Sequence, residues 1–400
     1  MSGPSPVAVT GVGCLCAAGA NLAACMESLF KERRHPAPPS SFETAHAIRY
    51  PVFEVPEGFF PSEFPEDGQL LRTSRLALAA ALEALHDADW NPENLRGLRV
   101  GVCIGTTVGS AMNSEEFYRD YRSGKRPEMT PIERFLRSNP AASVARHFGL
   151  SGPVQTVVNA CSSGTDALGL AASWVRNGLC DVALAGGADE LTRVTYNGFA
   201  SLMIADAKPV RPFDLNRRGL NLGEGAGMLV LESEKTQQAR KAKIRSHLLG
   251  YGSACDAYHL TAPSPEGLGL RRALDEAMNT ADCRPEDIAF VNAHGTGTPD
   301  NDRVESQVLD KVLPRTPFLS TKGFTGHTLG AAGAIEAAFT IACMEAGRIP
   351  TSAGFAEPDP ALPINPISQE VAIEGRAALS QSLAFGGNNA VVIFGKEGLQ

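Results

Sequence analysis

Three segments of this sequence share one grammar: an apolar run, a reactive residue, then glycine or other small residues. They are VVNA before Cys161 and SSG, FVNA before His294 and GTGT, and LSTKGFTG before His327. One cysteine and two histidines can supply a thiolate nucleophile with two proton or hydrogen-bond partners. Cys161 opens the helical stretch SSGTDALGLAASWVRNG. Free N–H groups and the dipole of a helix start favour a thiolate, so the thiol is expected to be active near neutral pH. Taken singly, a cysteine is most often a small buried residue. The helix-start context weighs the other way. A metal site built on the two histidines is disfavoured, because no carboxylate stands at the tight spacing of an HExxH helix.

Other residues suit supporting roles. Lys322 lies between an apolar strand end and a glycine-rich turn, which predicts burial beside an acid; Glu336 follows in the next helix. Thr296 and Thr298 offer hydroxyls at alternate positions of GTGT. Phe385 precedes Gly386 and Gly387, a backbone path open to glycine that can aim an N–H at a developing oxyanion. GEGAG at 223–227 lacks the GK[ST] ending of a phosphate loop, so nucleotide binding is discounted.

The elements that must position these residues alternate strand and helix. PVAVTG reads as a strand and NLAACMESLFKE as a helix; 35–69 is an irregular excursion. A helix over Arg72–Asp87 and the strands LRVGVCIGT, VQTVVNA, DVALAGGAD and MLVLE follow, with a surface subdomain over 110–138. The polar helical stretch KTQQARKAKIRS separates two halves near residue 245. The second half gives the helix RRALDEAMNTA, strands IAFVNAHG and PFLSTKG, the helix AAGAIEAAFTIACMEAG and the strand AVVIFG. The reactive residues fall at strand ends, where open α/β sheets bind ligands.

Composition bounds the rest. The 400 residues are 43% hydrophobic and 20% charged, ordinary globular usage with room for two or three domains. A net charge of −8 and 6% aromatics argue against nucleic acid and anionic membrane surfaces. Nine cysteines without a CxxC fit a reduced, cytoplasmic protein. No basic n-region precedes Lys31, and no uninterrupted apolar run reaches the ~20 residues of a membrane span.

VAVTGVG, GPVQTVVNACSSG, AGGADE, RPFDLNRRGLNLGEGAGMLVLE, NAHGTGTPDND, STKGFTGHTLGAAGAIE and FGGNNA run nearly end to end in order. Together they resemble the β-ketoacyl-acyl carrier protein synthases, the elongating condensing enzymes of the thiolase superfamily. The resemblance implies an α/β fold, a five-layered α-β-α-β-α sandwich of two duplicated halves. Residues 1–245 would hold the nucleophile with surface and dimer insertions, and 246–400 both histidines. Cys161 would carry the acyl chain, and His294 and His327 would bind the malonyl thioester carbonyl. Lys322 and Glu336 match the supporting charged pair. The N–H groups of Cys161 and Phe385 match the oxyanion hole, with Phe385 as gate. Thr296 and Thr298 match pantetheine contacts, Val108 a pocket-lining position, and Asp302 a structural acid. Arg72, Arg75, Lys125 and Arg126 lie near family docking regions for an acidic carrier.

The resemblance further implies no cofactor beyond the carrier's phosphopantetheine, acyl carrier protein as partner, and a homodimer. A heterodimer with a related ketosynthase or chain-length factor is the alternative. Two departures stand out: Asn388 where the family has Thr, and Ala384 where it has Gly. They predict altered gating and a specialised polyketide, polyene or unusual fatty-acid pathway rather than housekeeping elongation. A non-catalytic partner subunit fits poorly with the intact Cys161, His294, His327 and Lys322. A Cys-His hydrolase would have no use for the second histidine or the Lys322 motif.

Overall fold

Short runs rich in Val, Ile, Leu and Ala form strands that are buried on both faces, as sheets between helix layers require. The structure, a computed structural model, describes residues 6–61 and 70–396; residues 62–69 of the expected excursion lie outside it. The strands are β1 (Val7–Cys16), β2 (Val100–Gly105), β3 (Val154–Val157), β4 (Val182–Asp189), β5 (Gly225–Glu232), β6 (Ser246–Cys255), β7 (Ile288–Asn292), β8 (Phe318–Leu319), β9 (Arg348–Ile349), β10 (Val371–Ala372), β11 (Ala377–Ala384) and β12 (Asn388–Gly395). Ten of them join in the order β3-β2-β4-β5-β1-β6-β12-β11-β7-β8; β9 and β10 form a separate ribbon.

This order contains a duplication. The first half runs β3-β2-β4-β5-β1. The second, read from its far edge, runs β8-β7-β11-β12-β6. Each half has two parallel pairings at its edge and two antiparallel ones toward the join. The halves meet where Val7, Ala8 and Val9 of β1 pair with Leu248, His247 and Ser246 of β6. Cys161 follows β3, and Lys322 and His327 follow its counterpart β8. His294 follows β7, and Phe385 follows β11.

Helices Ser163–Arg176 and Ala332–Ala346 share one core with strands of both halves. Helix Arg72–Asp87 covers the outer face of the first half and Leu268–Ala281 that of the second. The result is the five-layered sandwich. The segment Leu329–Ala346 has a mean hydropathy of 1.3 and is 78% buried inside the protein. It is apolar all round because a sheet lies on either side.

Several elements differ from expectation. KTQQARKAKIRS is helical only over Glu234–Arg240 before the chain enters β6. PFLSTKG is a strand only at Phe318–Leu319, and Lys322–Thr325 turns into a short helix. The 110–138 region forms helices Glu115–Arg122 and Thr130–Arg137 with Tyr118, Tyr121 and Leu136 exposed. All nine cysteines are free; Cys14, Cys16 and Cys25 gather in the core, with Cys16 and Cys25 sulfurs 3.6 Å apart.

Candidate active site

Between β3 and the helix Ser163–Arg176 the chain reverses through Ala160, whose φ is +49°. A left-handed conformation costs an L-residue about 1–2 kcal/mol. Ser163 holds the turn: its hydroxyl donates to Ala160 O at 2.6 Å and accepts from Asn159 N at 2.8 Å. Cys161 is thereby presented at the helix start with 4% exposure. The expected low thiol pKa is corrected here. Burial pushes the thiol up to about 11, outweighing the N–H groups of Phe385 and Cys161 and the charge of Lys322, all of which favour the thiolate. Loss of water around sulfur exceeds what the helix start returns. Those same two N–H groups sit where an oxyanion beside the sulfur would be stabilised.

His327 Nε2 lies 3.1 Å from the Cys161 sulfur, and the His294 ring stands edge-on to His327 with centroids 5.1 Å apart. The hydrogen bonds fix both tautomers. Lys322 donates one proton to His294 Nδ1 at 3.1 Å, one to His294 O at 2.6 Å and one to Glu336. An ammonium only donates, so His294 Nδ1 accepts and its proton sits on Nε2. Leu329 N–H donates to His327 Nδ1 at 3.3 Å, placing that proton also on Nε2. Burial, then the positive charge of Lys322, keeps both imidazoles well below their usual pKa and neutral. The pair therefore presents two neutral N–H donors to one cleft. Ligand atoms of Cys161, His294 and His327 lie within 4.8 Å of one another, a spacing that could suit a soft metal. The Lys322 charge beside them opposes a cation there.

The cleft is about 750 Å³, open to solvent, and lined by Cys161, His294, His327, Thr296, Thr298, Phe199 and Phe385 among others. Thr296 and Thr298 hydroxyls are 2.9 Å apart. Phe385 stacks on Phe199 at 5.4 Å and 16°. Behind it Gly386 and Gly387 take φ of +84° and +79°, values that favour glycine. Ala384 has φ −125° and ψ 155°, ordinary extended backbone that any residue adopts, so alanine is unstrained in this conformation. Asn388 spans the turn by donating to Phe385 O at 3.2 Å.

Residues 4–237 match the family model of the beta-ketoacyl synthase N-terminal domain, and 245–356 that of its C-terminal domain. The chain belongs to the β-ketoacyl synthase family. It is 33% identical to a Synechocystis protein named 3-oxoacyl-[acyl-carrier-protein] synthase 2, over 98% of either chain. Among solved structures it resembles the ishigamide ketosynthase/chain length factor (TM-score 0.92, 32% identity, 98% of this chain and 99% of that one). It also resembles a type II polyketide-synthase ketosynthase, AntDE, in complex with the acyl-carrier protein AntF (TM-score 0.89, 28% identity, 99% and 100%).

Within this β-ketoacyl synthase, not every expected site residue reaches the cleft. Val108 does not line it and is 37% exposed in the single chain. Arg72 is not a free surface cation. It bonds Glu224, Glu57 and Val55 O, and Glu224 is buried. Arg75 pairs with Glu57 and lies over Phe60. Lys125 pairs with Asp120 at the surface, and Arg126 is exposed. Asp302 is fully buried and accepts from Phe213 N and Gly297 N, a structural role. Sequence reasoning missed Glu305, which accepts from His294 N, Gly295 N and Gln381 and is pushed up to about 7 by burial. It also gave Asp189 no role. Glu305 follows Asp302 by three positions on the helix Pro299–Val312, the only signal available.

Proposed function

We propose that this synthase joins an acyl group held on Cys161 to the two carbons left when malonyl-acyl carrier protein loses CO2. The observation that carries this is the convergence of one thiol, two neutral Nε2–H donors and two backbone N–H groups on one cleft. Cys161 sulfur attacks the acyl thioester, its oxyanion held by the N–H groups of Cys161 and Phe385. The thiol proton passes to the departing carrier thiolate. Malonyl thioester then enters with its carbonyl on His294 and His327. As the C–C bond to the carboxylate breaks, its electrons flow into the enolate held by those donors, and CO2 leaves. The enolate carbon attacks the Cys161 thioester, and collapse expels the Cys161 thiolate, which takes a proton from water to restore the resting thiol. Decarboxylation supplies the driving force, so no resident cofactor or metal is required.

On this reading the division near residue 245 separates the half carrying the nucleophile from the half carrying both histidines. The reaction belongs in the cytoplasm. The carrier docks on surface cations: of the expected Arg72, Arg75, Lys125 and Arg126, the first two are half-buried and paired with Glu57, and Lys125 and Arg126 are the exposed candidates. A Lys125→Glu, Arg126→Glu double variant should raise KM for carrier-bound substrate several-fold and leave a free thioester unchanged; equal effects on both would remove these residues from the docking site. The likeness to polyketide ketosynthases supports a specialised pathway, while the relative named synthase 2 keeps ordinary elongation as the alternative. Partnering follows the same fork: a homodimer, or a pair with a related ketosynthase or chain-length factor.

Intact-protein mass tests the core of this. Incubation with acyl carriers should add the acyl mass to wild type and not to Cys161→Ala, and malonyl carrier should then release a 3-oxo product two carbons longer. Rapid turnover of saturated medium chains would count against the specialised pathway. No loading until a related chain is added would replace the homodimer with a heterodimer.

A further inference from the structure

Asp189 ends β4, is 0% exposed, lies outside the cleft lining and makes no hydrogen bond to the three reactive groups, though its negative charge helps to raise the Cys161 thiol. Its Oδ1 accepts from Thr106 Oγ1 at 2.8 Å. Its Oδ2 accepts from Thr107 N at 2.8 Å, Thr107 Oγ1 at 2.7 Å and Gly330 N at 2.8 Å. A carboxylate without water is stabilised only by such a full set. Gly330 approaches so closely that a Cβ there would meet Asp189 Oδ2 at 2.8 Å and Thr106 Cα at 2.7 Å.

The residue before Gly330 is Leu329, with φ +54°. A branched side chain in the left-handed region is strained and needs holding. This strained turn is what points Leu329 N–H at His327 Nδ1. The His327 backbone is fixed elsewhere: its N donates to Asn221 O at 2.8 Å, and its O accepts from Gly223 N at 3.0 Å. Asp189 thus bears on the partner of Nδ1 and not on where the histidine sits.

We propose that Asp189 is a positioning residue that holds the Leu329–Gly330 turn and so keeps His327 a hydrogen-bond donor toward the cleft. A neutral imidazole has one proton. With Leu329 N–H on Nδ1, that proton is on Nε2 and can be donated to a thioester carbonyl. Without it, the ring can carry the proton on Nδ1, and Nε2 becomes an acceptor. An acceptor at Nε2, 3.1 Å from sulfur, faces the Cys161 thiol as a base and does not obstruct loading, but it cannot stabilise an enolate oxygen. Loss of Asp189 should therefore separate the two half-reactions.

The inference rests on the condensing reading above, and the test keeps the two distinct. Asp189→Ala and Asp189→Asn are compared with wild type in Cys161 loading, read by mass, and in CO2 release from malonyl carrier. Asn keeps an oxygen for Gly330 N and Thr107, and its amide can donate to the Thr106 hydroxyl. Loss of one oxyanion donor typically costs about 10²–10³ in rate, and a partial tautomer change less. Asp189→Ala should lower CO2 release about 10- to 100-fold without lowering loading, since loss of the Asp189 charge also eases the Cys161 thiol toward thiolate, and Asp189→Asn should restore CO2 release. ¹⁵N-histidine spectra should show His327 protonated on Nε2 in wild type and a tautomer mixture in Asp189→Ala. Unchanged CO2 release, parallel loss of both half-reactions, or an unchanged tautomer would overturn the proposal. If Asp189→Ala does not fold, Asp189→Ser, too short to reach Gly330 N, is read the same way. Wild type that neither loads nor decarboxylates would sink the condensing reading instead, while the spectra still decide the role of Asp189.

Discussion

Cys161 shows how one side chain's chemistry depends on its surroundings. Its thiol is pushed up to about 11, so the resting enzyme holds it protonated at neutral pH. The thiolate fraction below that value rises about tenfold per pH unit. Iodoacetamide labelling of Cys161, read by peptide mass, should therefore climb steadily from pH 7 to 9 without a plateau; a plateau near pH 7 would show a thiolate already formed. Lys322 is the other decisive residue. Its three protons serve His294 Nδ1, His294 O and Glu336. Lys322→Met leaves Glu336 buried without its cation and frees the His294 tautomer. Decarboxylation should fall at least about 100-fold. Denaturant titration should show a loss of about 3 kcal/mol, the order expected when one member of a buried pair is removed.

At the scale of elements, the turn between β11 and β12, a gate on the proposed reading, is the informative case. Asp256 steadies it: its N donates to Gly387 O at 2.8 Å, and its Oδ1 accepts from Asn389 at 3.1 Å. Gly386 N donates to Leu260 O at 2.8 Å. Strain belongs to Gly386 and not to Ala384. Ala384→Gly should lower stability by no more than about 1 kcal/mol and leave acyl loading within about twofold. Gly386→Ala, forced into φ +84°, should cost about 1–2 kcal/mol and slow loading about tenfold. Rapid-quench loading rates for the two variants, compared at equal melting behaviour, check both; the reverse ranking would return the strain to position 384.

Across the whole molecule, the repeated strand order brings Cys161 and the two histidines together from opposite halves. The first half's loops are tied to one another by the half-buried Arg72 and the buried Glu224 as well. Arg72 bridges Glu224 and the 55–57 segment, and Glu224 also accepts from Val55 N and Leu191 N. Arg72→Ala should therefore lower global stability by about 3 kcal/mol without selectively changing KM for a carrier-bound substrate. A carrier-specific KM change at unaltered stability would give Arg72 a docking role after all.

The sequence by itself determined much of this protein. Spaced apolar residues marked the helix Arg72–Asp87, long runs of helix formers and small residues marked Leu268–Ala281 and Ala332–Ala346, and apolar runs ending in Cys161 and His294 marked the site. β6 and β11 were not legible, because SHLLGYGSAC and AALSQSLA mix small and polar residues with apolar ones and are strands only by virtue of their neighbours. Tertiary structure alone decided the protonation of Cys161, the tautomers of His294 and His327, the roles of Asp189 and Glu305, and the loss of Arg72 as a free cation. Each depends on desolvation and on hydrogen-bond partners dozens to hundreds of positions away. Residue type and local spacing carry no record of those partners until the two halves close on their shared helical layer.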